Sequence, residues 1–479
     1  MRGAGRRIAL DVALWVFVSV VVLTPFVHGR YSESPSINAF RAFYCAGRAV
    51  QDRRDPYRVE PLRSCELAVF AKHSAAGVVE PAPFPPFVLA GFALLAMLPY
   101  STALGMYIAL LVGATGVAVW SLRRITGFPA PFLTACLLWT TLYRNITFAE
   151  IPPLVIGVFC ASALLLERGK PRAAAVVAVA TLVEPHVAIP SLVALAMYYP
   201  RTRTVLAGLA VIFALVSLAT VGFATCVEYA VKVLPLHAAS EVSANDQYSL
   251  TWLLHQMRVG DAVALQLGSA SYLIMSIAGI AVGRLLAMRY GKPSLLLLVP
   301  AAFVMVGGSF IHDIQLPIAL PAALVLLRVV PERLKPIVLG AIGVLAISWF
   351  NDGRMPFALQ VVILGIIAAT APLELPAPRY RVVLAVCASY AVLILAIHAL
   401  PNGPPPSLAA YPDVSGPPDA IASEVWSRYV RFTPYGHATL QTVIEKVPPA
   451  AALLTLVAVA VIAARGRLFG NQSLASVDA

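Results

Sequence analysis

Four polar sites interrupt a chain that is otherwise almost continuously apolar: Glu150, the tripeptide Glu184-Pro185-His186, the stretch Asn245 to Ser249, which includes Gln247, and the pair His312-Asp313. Carboxylates take up protons, and an imidazole can donate a hydrogen bond to an anion. Within lipid an ionisable side chain is costly unless it is paired or used, so these positions are where chemistry is to be sought.

The elements that must position them follow from composition. Hydrophobic residues make up 59% of the 479 and charged residues 12%, and the mean hydropathy is +0.82. Burying such a chain needs lipid, which points to an all-α polytopic membrane protein. The net charge of +12 is not a nucleic-acid signal, because the basic residues sit in short clusters between apolar runs, where they set orientation. Met1 to Arg7 leads into residues 8 to 26, a stretch long enough to span, with no small-residue cleavage site after it. It is expected to be an uncleaved first span with its N-terminus inside.

The clusters Arg123-Arg124, Arg168 to Arg172, Arg201 to Arg203, Arg284 to Lys292, Arg328 to Lys335, Arg379 to Arg381 and Arg465 to Arg467 are expected on the cytoplasmic side of a bacterial-type inner membrane. Each apolar stretch between two clusters must then go out and return. That parity places all four polar sites outside, with residues 223 to 260 and a Pro-rich, aromatic loop of residues 401 to 446. Between Arg172 and Arg201 about 28 residues remain for two arms, too few for two full spans, so a re-entrant or broken hairpin is expected. Residues 83 to 98 are apolar, but a crossing there would put Arg123-Arg124 outside, so they are expected to be re-entrant or to lie along the membrane. The count is about 13 spans in a range of about 11 to 14. Residues 1 to 400 are read as the transmembrane module, 401 to 446 as an outer loop, and 447 to 479 as the last span and a cytoplasmic tail.

Residues 27 to 82 form a long first outer loop in which Phe40, Phe43, Tyr44 and Gly47 recur at helical spacing, as in a short amphipathic helix on the membrane. Cys45 and Cys65 both lie in it; they are a candidate disulfide or two thiols packed against the membrane. No Cys or His spacing matches a zinc site, and no metal is expected.

The run Phe40-Arg41-Ala42-Phe43-Tyr44-Cys45-Ala46-Gly47, then Asp55-Pro56-Tyr57, then Phe84-Pro85-Pro86 with Leu98-Pro99, resembles the N-terminal signature of glycosyltransferase family 87. Ala149-Glu150 with Pro152-Pro153 stands at that family's Gly-Gln motif, Glu184-Pro185-His186 at its Lys-Pro motif, Asn245 to Leu250 at its Asn-Gln-Ser-Leu motif, and Phe310 to Asp313 at its Trp-x-His-His motif. The resemblance implies a GT-C-like bundle that transfers a sugar, commonly mannose or arabinofuranose, with inversion. The donor would be a polyprenyl-phosphate sugar, the acceptor a glycolipid or cell-envelope glycan at the outer face, and no separate cofactor is implied. Membrane lipid is the other expected partner.

The family's usual catalytic aspartate is Ala39 in this chain, beside Asn38, and neither can act as a base. Glu150, Glu184, Asp313 and Asp55 remain as candidates. Glu150 reads either as the base or as a hydrated interfacial carboxylate paired with Arg144, and Glu184 is expected to be held by His186. By the resemblance His312 lies near the donor phosphate, with Asp313 orienting it or serving as base; Arg41, Arg48 and His186 are further phosphate candidates. Asp55, Tyr57, Asn245, Gln247 and Ser249 are substrate-binding candidates, although Asp55 in its Asp-Pro-Tyr turn also reads as a structural cap. The aromatic residues Trp426, Tyr429 and Tyr435 suit either a sugar face or an interfacial belt. The rival reading is a transporter or lipid flippase with Glu184, His186 and Asp313 on its path, and the missing aspartate also admits an inactive family member.

Overall fold

The computed structural model describes residues 39–69, 78–350, 354–373, 378–400, 416–432 and 436–465. The expected first span, Asn38, the start of the outer loop at 401–415, Tyr435 and the tail beyond Arg465 lie outside the described residues. Every regular element among the described residues is a helix.

Helix α1 (Ala39–Gln51) forms on the predicted stripe, but that stripe faces protein: Phe40, Phe43, Tyr44 and Gly47 are all buried. A disulfide joins its Cys45 to Cys65 of α2 (Val59–Val69). Helix α3 (Pro86–Leu95) has ten residues, about 15 Å or half the hydrocarbon thickness, and packs on α1. The contact is so close that a Cβ on Gly47 would stand 2.5 Å from the Phe92 carbonyl carbon. Residues 83 to 98 therefore supply no full span.

Helix α4 (Tyr100–Thr126) is 27 residues long and ends on Arg123, Arg124 and the left-handed Gly127. The chain returns through α5 (Ala130–Leu137) and a π-turn to α6 (Arg144–Phe148), then goes back along α7 (Pro152–Glu167). Prolines 152 and 153 open α7, where a missing N–H costs nothing. Helices α4 and α7 cross at Gly157, where a Cβ would stand 2.5 Å from the Ala114 carbonyl oxygen. Their C-terminal ends meet at Lys292, whose Nζ lies 3.3 Å from Ile125 O and 3.7 Å from a Glu167 carboxylate oxygen.

That basic corner fixes one end of the bundle. The segment Pro171–Val183 leaves it and α8 (Pro185–Tyr198) returns to it. With 14 residues α8 reaches only about 21 Å, short of the ~30 Å hydrocarbon layer. Glu184, at the tip, therefore stands less than one hydrocarbon thickness from the basic corner along α8. Helix α9 (Arg203–Glu228), which has no buried residue, flanks the bundle as a lipid-facing element. Helices α10 (Leu234–Ser240) and α11 (Leu250–Gln256) frame the segment 241–249. Helix α12 (Asp261–Tyr290) runs to the basic corner, and α13 (Ser294–Gly307) runs back from it to His312. Helix α14 (Leu320–Val329), buried over most of its length with α13, completes the centre of the core.

Helices α15 (Lys335–Leu345), α16 (Arg354–Thr370), α17 (Arg379–His398), α18 (Ala422–Phe432) and α19 (Leu440–Arg465) follow. Among the described residues five helical stretches, including Tyr100–Thr126, Pro200–Ser240 and Asp261–Tyr290, are long and apolar enough to cross a membrane, and six shorter apolar ones lie among them. The chain is an all-α polytopic membrane protein.

Candidate functional site

Two short extended segments bring the polar sites together. Gln247 and His312 form an isolated antiparallel bridge, secured by Tyr248 N–H to Ile311 O at 2.6 Å and Asp313 N–H to Asp246 O at 2.8 Å. In this register Asp246 Oδ2 receives His312 Nδ1–H at 2.7 Å. The Gln247 amide is fixed by its own bond, since Oε1 accepts the Ile311 N–H at 3.0 Å. Its NH2 therefore faces His312 Nε2 at 3.2 Å, which makes Nε2 an acceptor when the ring is neutral.

The expected orienting role of Asp313 is overturned. Asp313 pairs with Arg144 at 2.9 Å, and Arg144 also donates to Ser348 Oγ at 2.7 Å and lies over the Phe350 ring. Asp246 orients the imidazole instead, and the expected alternative of an Arg144–Glu150 pair does not form.

Glu184 is tied into the same group from its re-entrant tip. Gln315 donates to Glu184 Oε2 at 2.8 Å while its own Oε1 accepts the His312 N–H at 2.9 Å. His186 Nε2 stands 3.7 Å from the same carboxylate oxygen. Glu150 arrives from a third direction: Ala149 adopts left-handed φ of 54°, and the Glu150 N–H returns to Asn145 O at 2.8 Å. Its carboxylate makes no hydrogen bond or ion pair with another described residue; burial and the charges of Glu80, Glu184 and Asp246 push it well above the usual carboxylate range, and the charge of His312 draws it back.

Electrostatics in the segments outside the helices follow from this crowding. Burial alone would lower His312, but the charge and hydrogen bond of Asp246, with Glu241 and Glu150 behind, lift it to about 10. Burial raises Glu241 to about 7 despite the nearby imidazole. A proton added at His312 Nε2 would turn that acceptor into a donor facing the Gln247 NH2, so an anion is the partner the protonated ring requires. Glu241, Asp246 and His312 offer ligand atoms within 4.8 Å of one another, a spacing that could hold a metal ion. These atoms are already engaged by each other, by Gln247 and by Trp426 Nε1, which donates to Glu241 Oε1.

The site draws on residues from the far end of the chain. Lys446 of α19 donates to the carbonyls of Asn245 and Gln247, the latter at 2.7 Å, and its ammonium lies over the Tyr248 and Trp252 rings at 4.5 and 4.3 Å. Asn245 Nδ2 donates to His437 O at 2.8 Å, and Ser249 Oγ caps α11 by accepting the Trp252 N–H at 3.2 Å.

Other expected site residues lie outside the Gln247–His312 bridge. Arg48 pairs with Asp52 at 3.5 Å on an exposed face. Asp55 accepts the Tyr57 N–H at 2.9 Å and pairs with Arg58 at 3.0 Å, and Arg58 bridges to Glu228 at 2.7 Å. The Tyr57 hydroxyl donates to Phe84 O at 2.7 Å and its ring lies against Tyr229. Arg41 lies 3.4 Å from Glu66 and 3.7 Å from Glu80. Asp246 was within reach of sequence reading, inside a stretch already singled out. Glu80, Glu241, Gln315 and Lys446 carry no local signal, because they join the site through folding alone.

Fold and site together define a membrane protein whose helices gather carboxylates and an Asp–His pair at the end opposite a basic corner. Residues 83–311 match the family model of glycosyltransferase family 87, a stretch that holds Glu150, Glu184 and Asn245 to Ser249 and stops one residue before His312. The match covers just under half of the chain and supports the assignment of this membrane protein to that family. No curated protein and no solved structure matches the chain.

Proposed function

We propose that the protein transfers a sugar, mannose or arabinofuranose, from a polyprenyl-phosphate donor to a glycolipid or cell-envelope glycan on the outer face of the membrane. The observation that carries this reading is the Glu150 carboxylate, unpaired and in the same field as Glu184 and His312. Glu184 is committed to Gln315 and Asp313 to Arg144, so Glu150 is the carboxylate available to a substrate. Its replacement of a base at Ala39 fits the chemistry. In an inverting displacement the acceptor oxygen forms a bond to the anomeric carbon as its proton passes to Glu150. The bond from that carbon to the phosphate oxygen breaks, and polyprenyl phosphate leaves with the electron pair. Protonated His312, held by Asp246, supplies a hydrogen bond to the departing phosphate.

The test is transfer by the purified full chain from radiolabelled polyprenyl-phosphate mannose and polyprenyl-phosphate arabinofuranose to membrane glycolipid. Glu150→Gln is expected to lower kcat by about 10²- to 10⁴-fold, the usual contribution of a positioned base, with little change in donor KM. Full activity in Glu150→Gln removes it as the base, and absence of transfer from both donors by the wild type overturns the donor class.

A further inference from the structure

A second polar group, which the displacement above does not use, borders the Glu150 site. Arg41 of α1, Glu66 of α2, Glu80 in the segment before α3, and Tyr100 at the start of α4 face one another. Arg41 Nε lies 3.4 Å from Glu66 Oε2 and Arg41 Nη2 lies 3.7 Å from Glu80 Oε2, while Tyr100 is in the field of all three. Glu66 is 3% exposed and Glu80 9%. Three buried atoms here, Glu66 Oε1, Glu80 Oε2 and the Tyr100 hydroxyl, make no hydrogen bond. Native interiors rarely leave such atoms unsatisfied, because each one costs free energy when removed from water without a partner.

The charge balance selects the missing partner. A cation would meet the Arg41 guanidinium, already set against both acids, and an anion would meet the two carboxylates. A neutral hydroxyl has neither conflict: its proton goes to a carboxylate oxygen, and its oxygen accepts from Tyr100. Glu80 is also the first charged group felt by Glu150, which sets the group beside the transfer site.

We propose that Arg41, Glu66, Glu80 and Tyr100 form a subsite that binds one hydroxyl of a sugar substrate, donor or acceptor. The inference rests on the glycosyl-transfer reading above. Its test measures binding to the full chain in nanodiscs for the two polyprenyl-phosphate sugars and for a mannosyl glycolipid, each beside its monodeoxy forms. One deoxy form, in the donor or the acceptor arm, is expected to bind wild type about 10- to 100-fold more weakly than its parent, as for a hydrogen bond to a charged group. That penalty is expected to vanish in Tyr100→Phe and to shrink in Glu66→Gln. An equal deoxy penalty in wild type and both variants overturns the subsite alone, as does stabilisation by Mg²⁺ or Mn²⁺ that Glu66→Gln abolishes, which would mark a cation site. No binding of any donor or glycolipid by wild type overturns the subsite together with the reading beneath it.

Discussion

At the scale of single residues, the decisive exchange is between two aspartates. Asp313 is adjacent to His312 in sequence, yet His312 is extended and Asp313 opens the helical turn that follows, so their side chains leave in different directions. Asp313 therefore reaches Arg144, while Asp246 reaches the imidazole from across the bridge. The four polar sites were legible in the sequence because polarity stands out against lipid-facing residues; which acid serves which base was not, because that depends on register between segments 66 positions apart. The pairing has a pH signature. His312 stands at about 10 against an ordinary 6.5, so the stability it contributes is complete below the lower value and is lost as pH rises through the upper one. The thermal midpoint of wild type in detergent should exceed that of Asp246→Asn by a constant margin below pH 6.5 and by a shrinking margin from there to pH 10. A margin that stays flat across that window would show that the pair is not charged as described.

At the scale of elements, the site is held in place by helices brought unusually close. Small residues at the crossing let backbones approach where lipid supplies no hydrophobic drive between helices. Gly157 does this for α7 against α4, and since Glu150 is two residues before α7, the crossing sets where the carboxylate stands. The helices themselves were legible from apolar length, basic ends and prolines. The α4–α7 contact was not, because nothing in a helix's own sequence names the neighbour its glycine faces. Gly157→Val should overpack the crossing and cost about 1–3 kcal/mol, read as a lower midpoint of thermal unfolding and reduced transfer. Gly113→Val in α4, where an added Cβ meets nothing within 4 Å, controls for the propensity cost of valine in a helix. Equal loss in both variants would mean that the crossing has room to give.

For the whole molecule, the alternation of basic ends and polar turns is a claim about sidedness. Ile125, Glu167 and Lys292 meet at one end of the bundle, and His312, Glu184 and Glu150 are electrostatic neighbours at the other ends of the same helices. The proposed outward-facing transfer requires that Lys and Arg be retained on the cytoplasmic side during insertion, with the polar group on the side where a lipid-linked donor and an envelope acceptor would meet. On that reading the short arms of Pro171–Val183 and Pro185–Tyr198 would hold Glu184 within reach of a donor whose prenyl chain stays in the bilayer. Single cysteines report the orientation once Cys136, Cys160, Cys226 and Cys387 are changed to alanine. A membrane-impermeant maleimide on intact cells should label Arg258→Cys, in the exposed turn after α11, and should reach Glu332→Cys, whose native side chain is 82% exposed, only after the membrane is opened. The reverse pattern would place the cluster on the cytoplasmic face and rule out an outward-facing transfer.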